Sequence, residues 1–350
     1  MNKILSLIAI LLATVTSAQI PTYYNGVDFD LSGMALKNAL SSKITSTHTN
    51  QISYSQATTL LKQSDLDPTN SGKVILVYGW NDNDAIETND RTRGKNNFGG
   101  SNTGEWNREH VFPKSLGSPN LGTSGPGSDA HNLRPADVDN NGLRGSKKFS
   151  SGSGNGGSTG SNWYPGDEWK GDIARIYMYM YLRYTDRCKP ANACVGNPVT
   201  IDLNMVSTLL QWNIEDPVSD FERTRNNKIY NTQHNRNPFI DNAYLATLIW
   251  GGDNAENVWT EISVGLKDIQ PLEFSIYPNP STNGKVSIKF NSTESIHQVE
   301  VFDISGKVIQ TVNNSEITSN LIKFHNLNTG IYFFKISTLT AILTKKVVIK

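Results

Sequence analysis

Near Gly265 the chain changes its period. Beyond that point, "FSIYPNPSTNGKVSIKF", "QVEVFDISGKVIQTV", "NLIKFHNL" and "GIYFFKI…TKKVVIK" alternate apolar and polar residues in short runs, separated by Asn-Gly, Ser-Gly and Thr-Gly. That is the pattern of half-buried strands joined by tight turns. Before it, "GDIARIYMYMYLRYTD" (171–186) places Ile173, Ile176, Tyr177, Met180, Tyr181 and Tyr184 at helical spacing. Side chains repeat every two residues on a strand and every 3.6 on a helix, so the two segments call for different architectures. The chain is predicted to be α+β: a mixed domain over residues 19–264, a linker at 265–273 and a small all-β sandwich over 274–350. Its 350 residues are enough for two cores.

Within the first domain, helices are expected at 32–43, 55–63, 202–213 and 241–250, and a strand at "GKVILVYGW" (72–80). Residues 81–161 read as mostly loop and end in the run "SSGSGNGGSTGS". A structureless stretch this long inside a domain is usually functional or disordered, and the ionisable residues crowd into it. The formal charge is zero overall, yet residues 19–265 carry 22 Lys and Arg against 26 Asp and Glu, while 266–350 carry 9 against 6. Bulk charge therefore does not advertise a nucleic-acid partner, and any phosphate-binding surface must be local. Lys3, the apolar run 4–12 and the small residues 16–18 have the three parts of a secretory signal peptide, expected to occupy 1–18. No other segment is apolar and long enough to span a membrane. In an exported chain the two cysteines, Cys188 and Cys194, are expected to close a small disulfide loop.

Two clusters carry the candidate chemistry: "WNREHVFPKS" (106–115) and "DAHNLRPADVDNNGLRGS" (129–146). Glu109 and an Asn are hard oxygen donors, suited to Mg²⁺, Mn²⁺ or Ca²⁺ rather than zinc. A neutral imidazole beside such an ion can take a proton from water, and arginines can neutralise phosphate oxygens. Those are the parts needed for metal-assisted phosphodiester hydrolysis. Adjacent residues on a regular strand face opposite ways. If Glu109 and His110 serve one pocket, they should sit where a strand gives way to loop. His131 has no HExxH spacing and no third nitrogen ligand, which points to a structural or supporting histidine rather than zinc.

The motifs "NREHVFPKS", "DAHNLRPAD…NNGLRG", "GDIARIYMYM" and "QHNRNPFID", in that order over most of residues 50–250, resemble the bacterial endonuclease I family of secreted or periplasmic nucleases. The resemblance implies a mixed fold around a ββα-metal (His-Me finger) core, cutting DNA and often RNA with little sequence preference and leaving 5′-phosphates. It implies Glu109 and Asn141 as metal ligands and His110 as general base, with Gly142, Arg144 and Gly145 completing the second motif. Some members stabilise the phosphate with an arginine between the two motifs. Here residues 111–130 contain Lys114 and no Arg, so Arg134 or Arg144 is the candidate for that role. Arg108, Lys170, Arg175 and Arg236 are candidate substrate contacts, and His131 and Asn132 candidate supports of the reacting groups.

"YPNPSTNGKVSI", "VFDISGKVI", "LNTGIYFFKI" and "KKVVIK" likewise resemble the sorting domain of type IX secretion substrates, over nearly all of 274–350. This implies export across the outer membrane and a secretion machinery as partner. The sequence as a whole is read as a secreted or cell-surface, monomeric, metal-dependent endonuclease. An RNA-preferring member of the family and a non-catalytic displayed binding protein are the alternatives.

Overall fold

The computed structural model describes residues 19–100, 102–259, 274–290, 296–313, 317, 320–338 and 342–350. The expected signal peptide and linker lie outside the described residues. The chain forms two compact units, one holding the bulk of residues up to 262 and the other 263–350. Among the described residues no helix is long and apolar enough to cross a membrane.

The first unit opens with helices α1 (Gly33–Thr47) and α2 (Tyr54–Ser64). Ser53 and Gln56 start α2 with reciprocal side-chain-to-backbone bonds, which satisfy N–H groups that the first helical turn leaves without partners. Strands β1 (Leu66–Asp67), β2 (Asn70–Ile75) and β3 (Thr92–Gly94) make an antiparallel sheet. The expected strand at 72–80 thus ends at Ile75. Its continuation is a buried turn in which Tyr78 takes φ 72°, a left-handed conformation costly for a residue with a side chain.

Residues 81–161 hold more regular structure than expected. β4 (Trp106–His110) and β5 (Leu133–Asp137) pair antiparallel, helix α3 (Val138–Arg144) follows at once, and β6 (Gly157–Thr159) pairs with β7 (Asn162–Tyr164). Helix α4 (Lys170–Tyr184) is buried from Gly171 to Leu182, the central post of the domain. A short α5 (Pro190–Ala193) leads to β8 (Pro198–Val199) and β9 (Asp202–Val206). The helix expected at 202–213 is therefore a strand followed by α6 (Ser207–Glu215). "DLNMV" pairs antiparallel with β8, so the hairpin rather than apolar spacing decides its conformation. Helix α7 (Asp220–Gln233) was not expected, because it is mostly polar. Its capping box, Ser219 with Glu222, is the signal that was there to read. The short α8 (Pro238–Asp241) and α9 (Tyr244–Trp250) complete the unit.

Cys188 and Cys194 are free, buried thiols rather than the expected disulfide. Helix α5 lies between them along the chain. Burial pushes both thiols up to about 12.

The second unit is all-β. β10 (Phe274–Tyr277), β11 (Val286–Phe290) and β14 (Leu321–Phe324) form one sheet. β13 (Val308–Asn313), β12 (Ile296–Asp303), β15 (Gly330–Thr338) and β16 (Ile342–Ile349) form the other, in that order. Ile288, Val299, Val301, Phe334, Ile336 and Val347 lead its core, as the alternation predicts.

Candidate active site

The site is built on β4, β5 and α3. The hairpin runs in register from Trp106 opposite Asp137 to His110 opposite Leu133. Asp137 ends β5 and caps α3, its carboxylate accepting from the Asn140 N–H at 2.8 Å. The helix stops at Gly145, whose φ of 55° and ψ of −126° suit a residue without a side chain. The Gly145 N–H donates to the Asn141 carbonyl at 2.8 Å.

Alternation along β4 puts Asn107 and Glu109 on one face and Arg108 and His110 on the other. Asn141 and Arg144, three apart on α3, share a helix face and meet the first pair. Asn141 Nδ2 donates to Asn107 Oδ1 at 2.6 Å, and Arg144 Nη1 donates to Glu109 Oε1 at 2.7 Å. Arg144 also donates to the carbonyls of His110 (2.9 Å) and Val111 (2.8 Å). The Tyr78 hydroxyl donates to the same Glu109 Oε1 at 2.8 Å. Both side-chain donors thus fall on Oε1 and leave Oε2. Burial pushes the Glu109 carboxyl above its usual value, opposed by Arg144 and Tyr78.

His110 is the last residue of its strand. Its Nε2 lies 2.8 Å from the Gly127 carbonyl. A carbonyl only accepts, so the ring proton sits on Nε2 and Nδ1 carries the lone pair. Burial lowers its pKa to about 4; the Gly127 carbonyl opposes this, and Lys114, Arg108 and Arg144 reinforce it. The ring is therefore neutral at neutral pH. Tyr54 stacks beside it at 5.5 Å and 27°, with the Arg108 guanidinium 3.4 Å from the Tyr54 ring centre. Behind the imidazole, Asn132 holds the chain by accepting from the Phe112 N–H at 2.8 Å and donating to its carbonyl at 3.2 Å.

Glu109, His110 and Asn141 open on one cleft of about 290 Å³, together with Tyr54, Arg108 and Lys114. Glu109 Oε2 and Asn141 Oδ1 are hard donors and fit a small dication that keeps water and takes phosphate oxygens as its remaining ligands. Among the described residues no three His, Cys, Asp or Glu side chains are grouped to hold a metal, so a zinc-type cluster is not the architecture here.

Of the arginines and lysines expected to meet phosphate, only Arg108 lines the cleft. Arg134 is buried between Asp65 and Asp172, each at 2.8 Å. Arg144 is equally buried and holds Glu109 rather than a substrate. Arg175 is fully buried against Glu222, and Arg236 is paired with Asp241 at 2.6 Å. Lys170 is paired with Glu215 at 2.7 Å. A guanidinium inside a protein needs a carboxylate, and these residues answer that need. His131 is buried against the Tyr179 ring at 4.3 Å, beside Asp129, in the core rather than in the cleft. Tyr54, Tyr78, Asn107 and Gly127 are contributors that sequence reasoning missed. Tyr78 and Gly127 act across the fold and carry no local pattern. Asn107 stood two residues before Glu109, on the same strand face, and could have been read from that spacing.

Residues 32–244 match the Endonuclease I family, and residues 275–350 match the secretion system C-terminal sorting domain. The extracellular ribonuclease of Bacillus subtilis (strain 168) is 43% identical over 257 residues, 70% of this chain and 84% of the relative. The extracellular ribonuclease of Bacillus amyloliquefaciens is 43% identical over 246 residues, 67% of this chain and 80% of the relative. The chain belongs to the Endonuclease I family, a nuclease domain exported with a C-terminal sorting domain attached.

Proposed function

We propose that this protein is a metal-dependent endonuclease that hydrolyses phosphodiester bonds of DNA and RNA without regard to sequence. The observation that carries this reading is the neutral His110 ring, its proton fixed on Nε2 by Gly127, in the same cleft as Glu109 and Asn141. His110 Nδ1 takes a proton from water, whose oxygen attacks the phosphorus in line with the P–O3′ bond; that bond breaks, one fragment keeps the 5′-phosphate, and the departing 3′ oxygen takes a proton from solvent to become the 3′-hydroxyl of the other. Glu109 and Asn141 would hold the cation, which would supply Lewis-acid stabilisation of the charge growing on the phosphoryl oxygens. Arg108 and Lys114, the cations of the cleft, neutralise substrate phosphates; such contacts bind any sequence.

RNA is the second substrate to weigh, because both relatives are named extracellular ribonucleases. Matched plasmid and RNA digestions, with and without EDTA, test the reading together. Cleavage that persists undiminished in EDTA would remove the cation from the scheme. The His110→Ala variant should fold normally, bind Mn²⁺ as before and lose about 10²–10⁴-fold in rate, the usual contribution of a general base. Parental cleavage by this variant would remove His110 from the scheme.

A further inference from the structure

Two side-chain-to-side-chain ties join β4 to α3, and only one is accounted for by charge. Arg144 holds Glu109 through an ion pair at 2.7 Å. The other tie joins two neutral amides, Asn141 Nδ2 donating to Asn107 Oδ1 at 2.6 Å. The ties lie two residues apart on the strand and three apart on the helix, so they fall side by side across one interface.

The second tie matters because an asparagine amide has two ends and a soft terminal torsion. Turned one way it offers a cation a carbonyl oxygen; turned the other way it offers an NH₂ group whose partial charge repels the cation. Nothing in the Asn141 backbone chooses between the two. We infer that Asn107 is a positioning residue: its Oδ1 captures the Asn141 NH₂ and so leaves Asn141 Oδ1 as the end that would meet a cation held together with Glu109.

The inference rests on the proposed role of Asn141 as a ligand, and it explains a feature that role alone does not. Asn107 follows the buried Trp106 on β4 and pairs opposite Ala136, so its backbone is fixed by the ladder. It carries no charge that would itself attract the ion. Its effect on metal binding should therefore pass entirely through Asn141.

The test is Mn²⁺ titration of the full chain in four variants, with the thermal midpoint of each recorded. Asn107→Leu, similar in size but unable to accept, should weaken Mn²⁺ binding by about tenfold or more, the scale of effect seen when partners of metal ligands are removed. In the Asn141→Ala background the same change should alter affinity by less than about twofold, since distinct effects add only when residues act independently. Asn107→Asp can accept and cannot donate, so it should retain parental affinity or exceed it. It also serves where the leucine variant folds poorly.

Unchanged affinity in Asn107→Leu overturns the inference. So does an equal loss in both backgrounds, or a loss in Asn107→Asp as large as in Asn107→Leu. If Asn141→Ala itself binds Mn²⁺ like the parent, the ligand assignment falls and the inference falls with it. Loss in Asn141→Ala with no loss in Asn107→Leu sinks the positioning role alone.

Discussion

Arg134 and His110 stand at opposite ends of what a motif can reveal. Both sit in runs that mark the family, yet one is held in the cleft and the other is sealed in the core between Asp65 and Asp172. Replacing Arg134 with Met should leave two buried carboxylates short of a partner, although Arg225 still reaches Asp65 at 3.0 Å. The expected cost is about 3–5 kcal/mol, seen as a fall in urea midpoint, while cleavage per folded molecule stays near the parent. A variant of parental stability and no activity would restore Arg134 to the chemistry. Burial cannot be read from one sequence, and so the buried arginines were indistinguishable from substrate contacts. That Glu109, His110 and Asn141 line one cleft was legible, because the motifs that resemble the family carry all three.

His131 makes the corresponding statement about pH. Burial lowers its pKa to about 3, with Asp129 opposing and Arg225 reinforcing the shift. Its unfolded value is near 6.5, so between those values the unfolded chain binds the extra proton. The folded state is then fully stable above about pH 6.5 and loses up to about 1.4 kcal/mol per pH unit from this group as pH falls toward 3. His131→Gln should flatten that slope between pH 6.5 and 4, measured by urea unfolding at each pH. An unaltered slope would place the proton uptake elsewhere.

At the level of elements, the β4–β5–α3 unit was hidden inside a region that reads as loop. Its strands are five residues each, separated by 22 residues of turns and 3-10 segments. Its helix is seven residues long and has no apolar stripe. Periodicity needs longer segments to register. The long α4 and the all-β character of the second unit were plain for that reason. The polar α7 and the β9–α6 boundary were not, because capping and pairing decided them rather than apolar spacing. Gly145 shows how tightly the finger is drawn. Placing Ala at its φ of 55° should cost about 1–3 kcal/mol and shift the end of α3, which bears Asn141 and Arg144. Gly145→Ala is therefore expected to show weaker Mn²⁺ binding along with a lower melting temperature. Parental values of both would mean that the helix end adapts freely.

For the whole molecule, two units with separate cores mean that delivery and chemistry need not share residues. The residues that line the cleft all belong to the first unit. The pairing of Arg144 with Glu109 adds a second kind of independence. The carboxylate is electrically balanced by a residue of its own chain before any ion arrives, so the empty nuclease has no buried net charge there to resist folding. This sets it apart from small zinc domains, which fold only around their metal. Stripped with EDTA, the protein should melt within about 4 °C of its Mg²⁺-loaded form, the shift that about 1 kcal/mol produces in a domain of this size. On the proposed reading, a nuclease balanced in this way folds before it binds its cation, so that maturation and activation are separate events.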